Sequence, residues 1–107
     1  MHYIKLSIVY LNYNRLSETQ QTSHQLLTLC QNRLDYEIIA VDNGSKDGTT
    51  DFLRQQTSIT SLLLDDNFGI AGYNHGFSKA HGEYILVLDD DSCPADFDGI
   101  EQVLKRM

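Results

Sequence analysis

Three consecutive carboxylates, Asp89, Asp90 and Asp91, follow the apolar run 84–88. A continuous apolar run of this kind is typical of a strand buried on both faces of a sheet. Adjacent carboxylates repel one another, and burial adds to the cost, so acids in this place need a positive partner. Asp89 and Asp91 share one side if the strand continues, because side chains alternate. The pair therefore suits a hard divalent cation with oxygen ligands, and a solvated acidic turn is the alternative.

Polar clusters also follow three earlier runs that are predicted to be strands. In an open parallel sheet, ligands bind beyond the carboxyl ends of the strands. Four polar clusters at one edge of a sheet therefore predict a binding site there. The strand runs are 4–10, 37–41 and 61–64, and their clusters are Asn12 to Arg15, Asp42 to Ser45, and Asp65 to Asn67.

Helical patterns alternate with these strands, which predicts an open, mainly parallel α/β sheet with helices on both faces. The first predicted helix begins at Arg15 or Leu16. Thr49 or Thr50 is expected to cap the second helix, and the third follows a glycine-rich loop at 67–76. The third is expected to end near His81, with Gly82 as its stop signal. Past Pro94, the spacing of Asp98 and Glu101 resembles a capping box.

The loop 43–48 contains two glycines, which predicts positive φ angles there. Asp42, just before it, has two open interpretations: its carboxylate accepts the N–H of a pyrimidine base, or it organises its own turn. Tyr13 either stacks on a base or packs against the protein. Asp47 is interpreted as structural.

The bulk composition excludes several classes of protein. With 107 residues, 41% of them hydrophobic, the chain can form one small domain with a core. The formal net charge of −7 argues against nucleic acid as a partner. Cys30 and Cys93 have no partner at metal-ligand spacing, which favours two reduced thiols in a cytoplasmic protein. No apolar run is long enough to span a bilayer, and peripheral association at the inner face of the membrane stays open.

Three segments together resemble the nucleotide-binding half of a family 2 glycosyltransferase with the GT-A fold, which is Rossmann-like. They are SIVYLNYNR at 7–15, EIIAVDNGSKDGT at 37–49 and DNFGIAGYNHGFSKAHGEYILVLDDD at 66–91. The resemblance covers nearly the whole chain, 1–107, as the half that binds a nucleotide-diphosphate sugar. The VDNGS form with Asn43 is similar to bacterial rhamnosyl- and related transferases, which implies a UDP- or dTDP-linked sugar and a role in cell-envelope polysaccharide synthesis.

The resemblance also implies roles for particular residues. Asp89 and Asp91 match the Asp-x-Asp motif that holds Mg²⁺ or Mn²⁺ on the donor diphosphate, where a Lewis acid stabilises the leaving group. Asp42 matches the acid that reads the pyrimidine ring. The whole set implied to line the nucleotide and sugar is Leu11, Asn12, Tyr13, Asn14, Asp42, Asn67, Gly72, Asn74 and Asp90.

Family members are usually more than twice as long, and their acceptor-binding part and catalytic base follow the metal motif. The chain is therefore expected to be a piece or a truncated product that binds donor without completing transfer to a saccharide or lipid-linked acceptor. For the whole enzyme, the resemblance implies transfer with inversion. An exposed sheet edge would favour self-association. The alternatives are a nucleotidyltransferase or sugar-nucleotide pyrophosphorylase, which usually has a glycine-rich loop where LNYNR stands, and a non-catalytic, receiver-like binding fragment.

Overall fold

The computed structural model describes residues 3–31 and 35–89, with the side chain of Asp89 outside that description. Within this part of the chain, all strands join one parallel sheet in the order β3-β2-β1-β4. This confirms the predicted open α/β architecture. The elements in chain order are β1 (Leu6–Asn12), α1 (Leu16–Cys30), β2 (Tyr36–Asp42), α2 (Thr49–Arg54), β3 (Thr60–Leu63), a 3₁₀ turn (Gly69–Gly72), α3 (Tyr73–Lys79) and β4 (Tyr84–Asp89).

The strand register brings the polar strand ends to one edge of the sheet, which we call the carboxyl edge. Asn12 pairs with Asp42, and Asp42 pairs in turn with Leu63. On the other side of β1, Leu11 pairs with Asp89. Leu11 and Asn12 were expected in a turn after the first strand, but β1 continues through them because both have partners on neighbouring strands.

The two faces of the sheet bury separate hydrophobic clusters, as the alternation of strand side chains requires. Leu6, Ile8 and Tyr10 of β1 face α1 and α2, where Leu26 and Leu53 complete the cluster. Val9 of β1 lies on the other face with Ile39, Val41 and Tyr73, the first residue of α3. Helices therefore cover both faces, as predicted.

Helix α1 packs on the sheet through a stripe of partly polar side chains. Its buried residues are Thr19, Thr22, Ser23 and Leu26. The hydroxyls of Ser23 and Tyr10 are 2.6 Å apart and form a buried hydrogen bond. Burial raises the pKa of Tyr10 to about 12, although the bond to Ser23 opposes the shift.

Two predicted helix caps are wrong, and one burial prediction fails in the described residues. The N-cap of α2 is Gly48, with φ at 101°, and no side chain caps it. Helix α3 ends at Lys79, and Gly82 does not cap it; the amide of Gly82 donates instead to Ser7 Oγ at 2.8 Å. β4 was expected to be buried on both faces, yet Ile85 and Val87 are exposed on one of them. The predicted capping box beyond Pro94 lies outside the described residues.

Candidate functional site

Backbone hydrogen bonds continue past the strand ends and draw the loops of the carboxyl edge together. The amide of Asn43 donates to the Asn12 carbonyl at 2.9 Å, and the amide of Leu64 donates to the Asp42 carbonyl at 2.9 Å. The loops after β1, β2 and β3 thus leave the sheet side by side. The topology therefore brings the polar clusters seen in the sequence to a single edge.

Asp42 is fully buried at the end of β2 and organises the loop that follows it. Its Oδ1 accepts hydrogen bonds from the Ser45 amide at 3.2 Å and the Ser45 hydroxyl at 2.5 Å. Its Oδ2 accepts a hydrogen bond from the Thr50 hydroxyl. Three bonds leave one of the roughly four acceptor positions of a carboxylate unused. The turn-organising role is thus observed, and base recognition stays a prediction that needs ligand access to Oδ2.

Hydrogen bonds between side chains and backbone amides join the loops after β1 and β2. Asn14, which has φ at 50°, donates its amide to Ser45 Oγ at 2.9 Å. Its own Oδ1 accepts the Lys46 amide at 2.6 Å. Asn14 and Asp42 therefore share Ser45 as a partner, and hydrogen bonds join the two loops.

Asp47 ties the start of α1 to the start of α2. Its Oδ2 accepts the Leu16 amide at 3.0 Å, and its Oδ1 accepts the Thr49 amide at 3.1 Å and the Thr49 hydroxyl at 2.6 Å. The Thr49 hydroxyl, with these amides, holds the pKa of the Asp47 carboxyl below its usual value of 3.8. The structural interpretation of Asp47 is confirmed.

Asn12 turns its side chain into the protein. Its Nδ2 donates to the carbonyls of Tyr10 and Val41 at 3.3 and 3.1 Å, and its Oδ1 accepts the Thr19 hydroxyl at 3.0 Å. This one amide joins β1, β2 and α1 directly beneath the loops. Sequence reasoning missed the partner Thr19, although a hydroxyl residue on the sheet-facing side of a helix is a usable signal for such a bond.

The glycine-rich segment folds back over the loop after β2. Asn43 Nδ2 donates to the Gly69 carbonyl at 3.0 Å. The buried Asn43 Oδ1 has no hydrogen-bond partner among the described residues. A Cβ on Gly72 would lie 2.5 Å from Asn43 Oδ1 and 2.9 Å from Leu11 Cδ1, so any other residue there requires these side chains to shift. Asn43 was noted in the sequence only as part of a motif, and its role as a contact to this segment was missed.

The predicted nucleotide-lining residues divide into two groups by exposure. Asn12, Asp42 and Gly72 are buried, and Leu11 is partly buried. The residues of the second group are exposed and can contact a ligand directly. One of them is Tyr13, which is 41% exposed and therefore is not packed against the protein. The exposed members are Tyr13, Asn14, Asn67 and Asn74.

The predicted metal motif begins where β4 ends. Asp89 is the last residue of β4 and is paired with Leu11, so its backbone lies at the carboxyl edge. Asp90 and Asp91 lie outside the described residues. Within 3–31 and 35–89, no group of three or more His, Cys, Asp or Glu side chains is placed to hold a metal ion. Carboxylate oxygens are ligands that Mg²⁺ takes in proteins, and the metal role of Asp89 and Asp91 stays a prediction.

No helix in the described part of the chain is long and apolar enough to cross a membrane. Cys30 forms no disulfide with the described residues, and Cys93 lies outside them, so the prediction of two reduced thiols stays a prediction.

Solved structures share this arrangement and define the class of fold. The mannosyltransferase PcManGT from Pyrobaculum calidifontis, in complex with GDP-Man and Mn²⁺, matches with a TM-score of 0.80 over 98% of this chain and 32% of its own, at 20% identity. S. aureus TarS 1-349 matches with a TM-score of 0.71 over 82% of this chain and 28% of its own, at 24% identity. The fold is that of GT-A glycosyltransferases.

Comparison of the sequence with known proteins identifies the family within this fold class. The model of glycosyl transferase family 2 matches residues 7–107, and the chain belongs to this family. It is 33% identical over 91 residues to the glycosyltransferase TuaG of Bacillus subtilis, named for teichuronic acid biosynthesis, which covers 80% of this chain and 35% of that protein. It is 32% identical over 96 residues to the undecaprenyl-phosphate 4-deoxy-4-formamido-L-arabinose transferase of Aeromonas hydrophila, covering 82% and 29%. The chain thus spans about a third of the length of these relatives.

Proposed function

We propose that the chain is the donor-binding half of a glycosyltransferase. It would hold a nucleotide-diphosphate sugar at the carboxyl edge of its sheet. The observation that carries the proposal is the convergence of Asn12, Asp42 and Asp89 at that edge, through the strand register, in a chain of this family. The family match favours glycosyl transfer over the nucleotidyltransferase and receiver-like alternatives.

The exposed Tyr13, Asn67 and Asn74 would contact the donor directly. The buried and partly buried residues other than Asp42, together with Asn14, would shape the site. Tyr13 is available to stack on a base, and the side chains of Asn67 and Asn74 are available to hydrogen-bond the nucleotide or sugar. Leu11, Asn12, Asn14 and Gly72 would set the position of the loops. Asp42 would read a pyrimidine through the acceptor position that Thr50 leaves on Oδ2.

Asp89 and Asp91 would hold Mg²⁺ or Mn²⁺, with Asp90 beside the nucleotide. The bound ion supplies Lewis-acid stabilisation of the departing diphosphate. Its positive charge would also reduce the electrostatic repulsion between an anionic donor and a protein of net charge −7. PcManGT, the solved structure with the same fold, holds GDP-Man with Mn²⁺.

The finer features of the reaction belong to the same proposal. The donor would be a UDP- or dTDP-linked hexose or rhamnose, transferred with inversion to a saccharide or lipid-linked acceptor in cell-envelope polysaccharide synthesis. The protein would act in the cytoplasm or at the inner face of the membrane. Self-association through β4, with its exposed Ile85 and Val87, would appear as a dimer in sedimentation.

Calorimetric titration with UDP, dTDP and GDP, each with and without Mn²⁺, tests the proposal. We expect binding that depends on Mn²⁺ and favours a pyrimidine nucleotide. Asp42→Ala should weaken binding of UDP and dTDP and narrow their advantage over GDP. Failure of a folded chain to bind any of the three in the presence of Mn²⁺ would refute the donor-binding role.

A further inference from the structure

Tyr73 joins the glycine-rich segment to the strand that carries the metal motif. It is the first residue of α3 and is only 9% exposed. Its ring belongs to the cluster with Val9, Ile39 and Val41 on one face of the sheet. Its hydroxyl donates to the Leu88 carbonyl at 2.8 Å. A ring held this firmly fixes the position of its hydroxyl.

The hydroxyl of Tyr73 is not required for packing. A phenylalanine ring would fill the same space, whereas a buried tyrosine hydroxyl needs a polar partner. That partner is the backbone immediately before Asp89. In the described part of the chain β4 pairs with β1 alone, and the end of a strand at the side of a sheet opens more easily than its centre.

The segment that ends at Tyr73 is fixed at its other end by the loop after β2. Asn43 Nδ2 donates to the Gly69 carbonyl at 3.0 Å, and Gly72 packs against Asn43 and Leu11. One short segment therefore connects the Asp42 loop to the end of β4. This is a physical link between the two parts of the proposed site, one for the nucleotide and one for the cation.

We propose that Tyr73 is a positioning residue whose hydroxyl fixes the carboxyl end of β4, and with it the backbone of Asp89, relative to the nucleotide segment. The inference rests on the proposed function and adds to it a residue outside the predicted lining set. Tyr73 would act through the backbone of Leu88, the residue before Asp89.

The other end of the same strand offers a matched control. The hydroxyl of Tyr3, a residue that is 59% exposed, donates to the Glu83 carboxylate just before β4 begins. Tyr3→Phe and Tyr73→Phe each remove one oxygen and one hydrogen bond next to β4. Only Tyr73→Phe removes the bond beside the metal motif.

The experiment measures two quantities in the wild type and both variants. The first is amide hydrogen exchange of residues 84–89, which we expect to speed up about 3- to 10-fold at Leu88 and Asp89 in Tyr73→Phe alone. The second is the affinity for UDP with and without Mn²⁺. Tyr73→Phe should weaken binding in Mn²⁺ by about 3- to 10-fold and leave metal-free binding unchanged.

The possible failures are distinguishable. If the wild type does not bind any nucleotide in Mn²⁺, the proposed function itself is wrong. If the wild type binds and Tyr73→Phe binds equally well, the positioning role is overturned. An equal loss with and without Mn²⁺ also overturns it, because the hydroxyl then acts on the nucleotide segment only.

Discussion

The two edges of the sheet both contain a carboxylate enclosed by hydrogen bonds, yet they differ in what lies beyond it. At the amino edge, where the strands begin, the Glu37 side chain is 18% exposed. Its Oε2 accepts the Ser7 hydroxyl at 2.5 Å and the His81 amide at 2.7 Å. At the carboxyl edge, Asp42 accepts bonds from Ser45 and Thr50 in a similar way. A satisfied carboxylate is therefore not by itself a sign of a binding site.

The backbone conformations separate the two edges. Every positive-φ residue in the described part of the chain lies in a loop of the carboxyl edge: Asn14, Gly44, Gly48 and Gly69, at 50°, 75°, 101° and 59°. Such conformations are rare outside turns, and they accumulate where backbone must be held in an exact place for a ligand. The loops of the carboxyl edge present exposed asparagines, whereas the bonds around Glu37 join the starts of β1 and β2 to the segment between α3 and β4.

The largest expected effect comes from removing the metal motif. Asp89→Asn combined with Asp91→Asn should weaken Mn²⁺-dependent nucleotide binding by more than about 100-fold, because both anionic ligands are lost. Unfolding stability should stay the same. Asp51→Asn on the exposed side of α2 is the control and should bind as the wild type does. Unchanged nucleotide binding in the double variant, measured by calorimetry, would show that Asp89 and Asp91 do not hold a cation at the carboxyl edge.

Alanine substitution of one tightly packed glycine near each edge of the sheet tests whether the two edges differ in function as well as in shape. A Cβ on Gly72 would lie 2.5 Å from Asn43 Oδ1, and a Cβ on Gly82 would lie 2.6 Å from the Ser7 amide nitrogen. Either alanine substitution should cost about 1–3 kcal/mol of unfolding free energy through overpacking, measured in urea. Only Gly72→Ala should also weaken nucleotide binding. An equal loss of affinity in Gly82→Ala would erase the distinction between the edges.

The sequence was sufficient to predict the sheet, its parallel strands and the convergence of polar clusters, because buried strands and loop residues have strong local patterns. The paired glycines at 44 and 48 were expected to take positive φ, and they do. Contacts between distant segments were beyond reach. Nothing local indicates that Asn43 contacts Gly69 or that Tyr73 reaches Leu88. Such bonds depend on which loops the fold brings together.

Replacing the carboxylate at each edge by the corresponding amide compares the two edges directly, with a smaller expected effect on nucleotide affinity. Glu37→Gln and Asp42→Asn both replace an acceptor oxygen with a donor that faces existing donors, so each should cost about 1–2 kcal/mol of stability. Nucleotide affinity should fall in Asp42→Asn and stay constant in Glu37→Gln. Calorimetry on samples shown to be folded by circular dichroism checks both. Weaker binding in Glu37→Gln would show that the amino edge also controls the site.

The smallest effect is a pH dependence at the amino edge. Burial raises the pKa of Glu37, but the Ser7 hydroxyl and the donors of His81 outweigh it and leave the pKa below its usual value of 4.5. A lowered pKa in the folded state means that the stabilisation is complete above pH 4.5 and is lost as the pH falls through the folded value. The stability gap between wild type and Glu37→Gln should therefore narrow below about pH 4.5. Urea unfolding at pH 7, 5, 4 and 3.5 measures it. Asp47, whose pKa is also lowered, is present in both proteins and cancels in the difference. A gap that stays constant down to pH 3.5 would mean that the hydrogen bonds at this edge do not depend on the charge of Glu37.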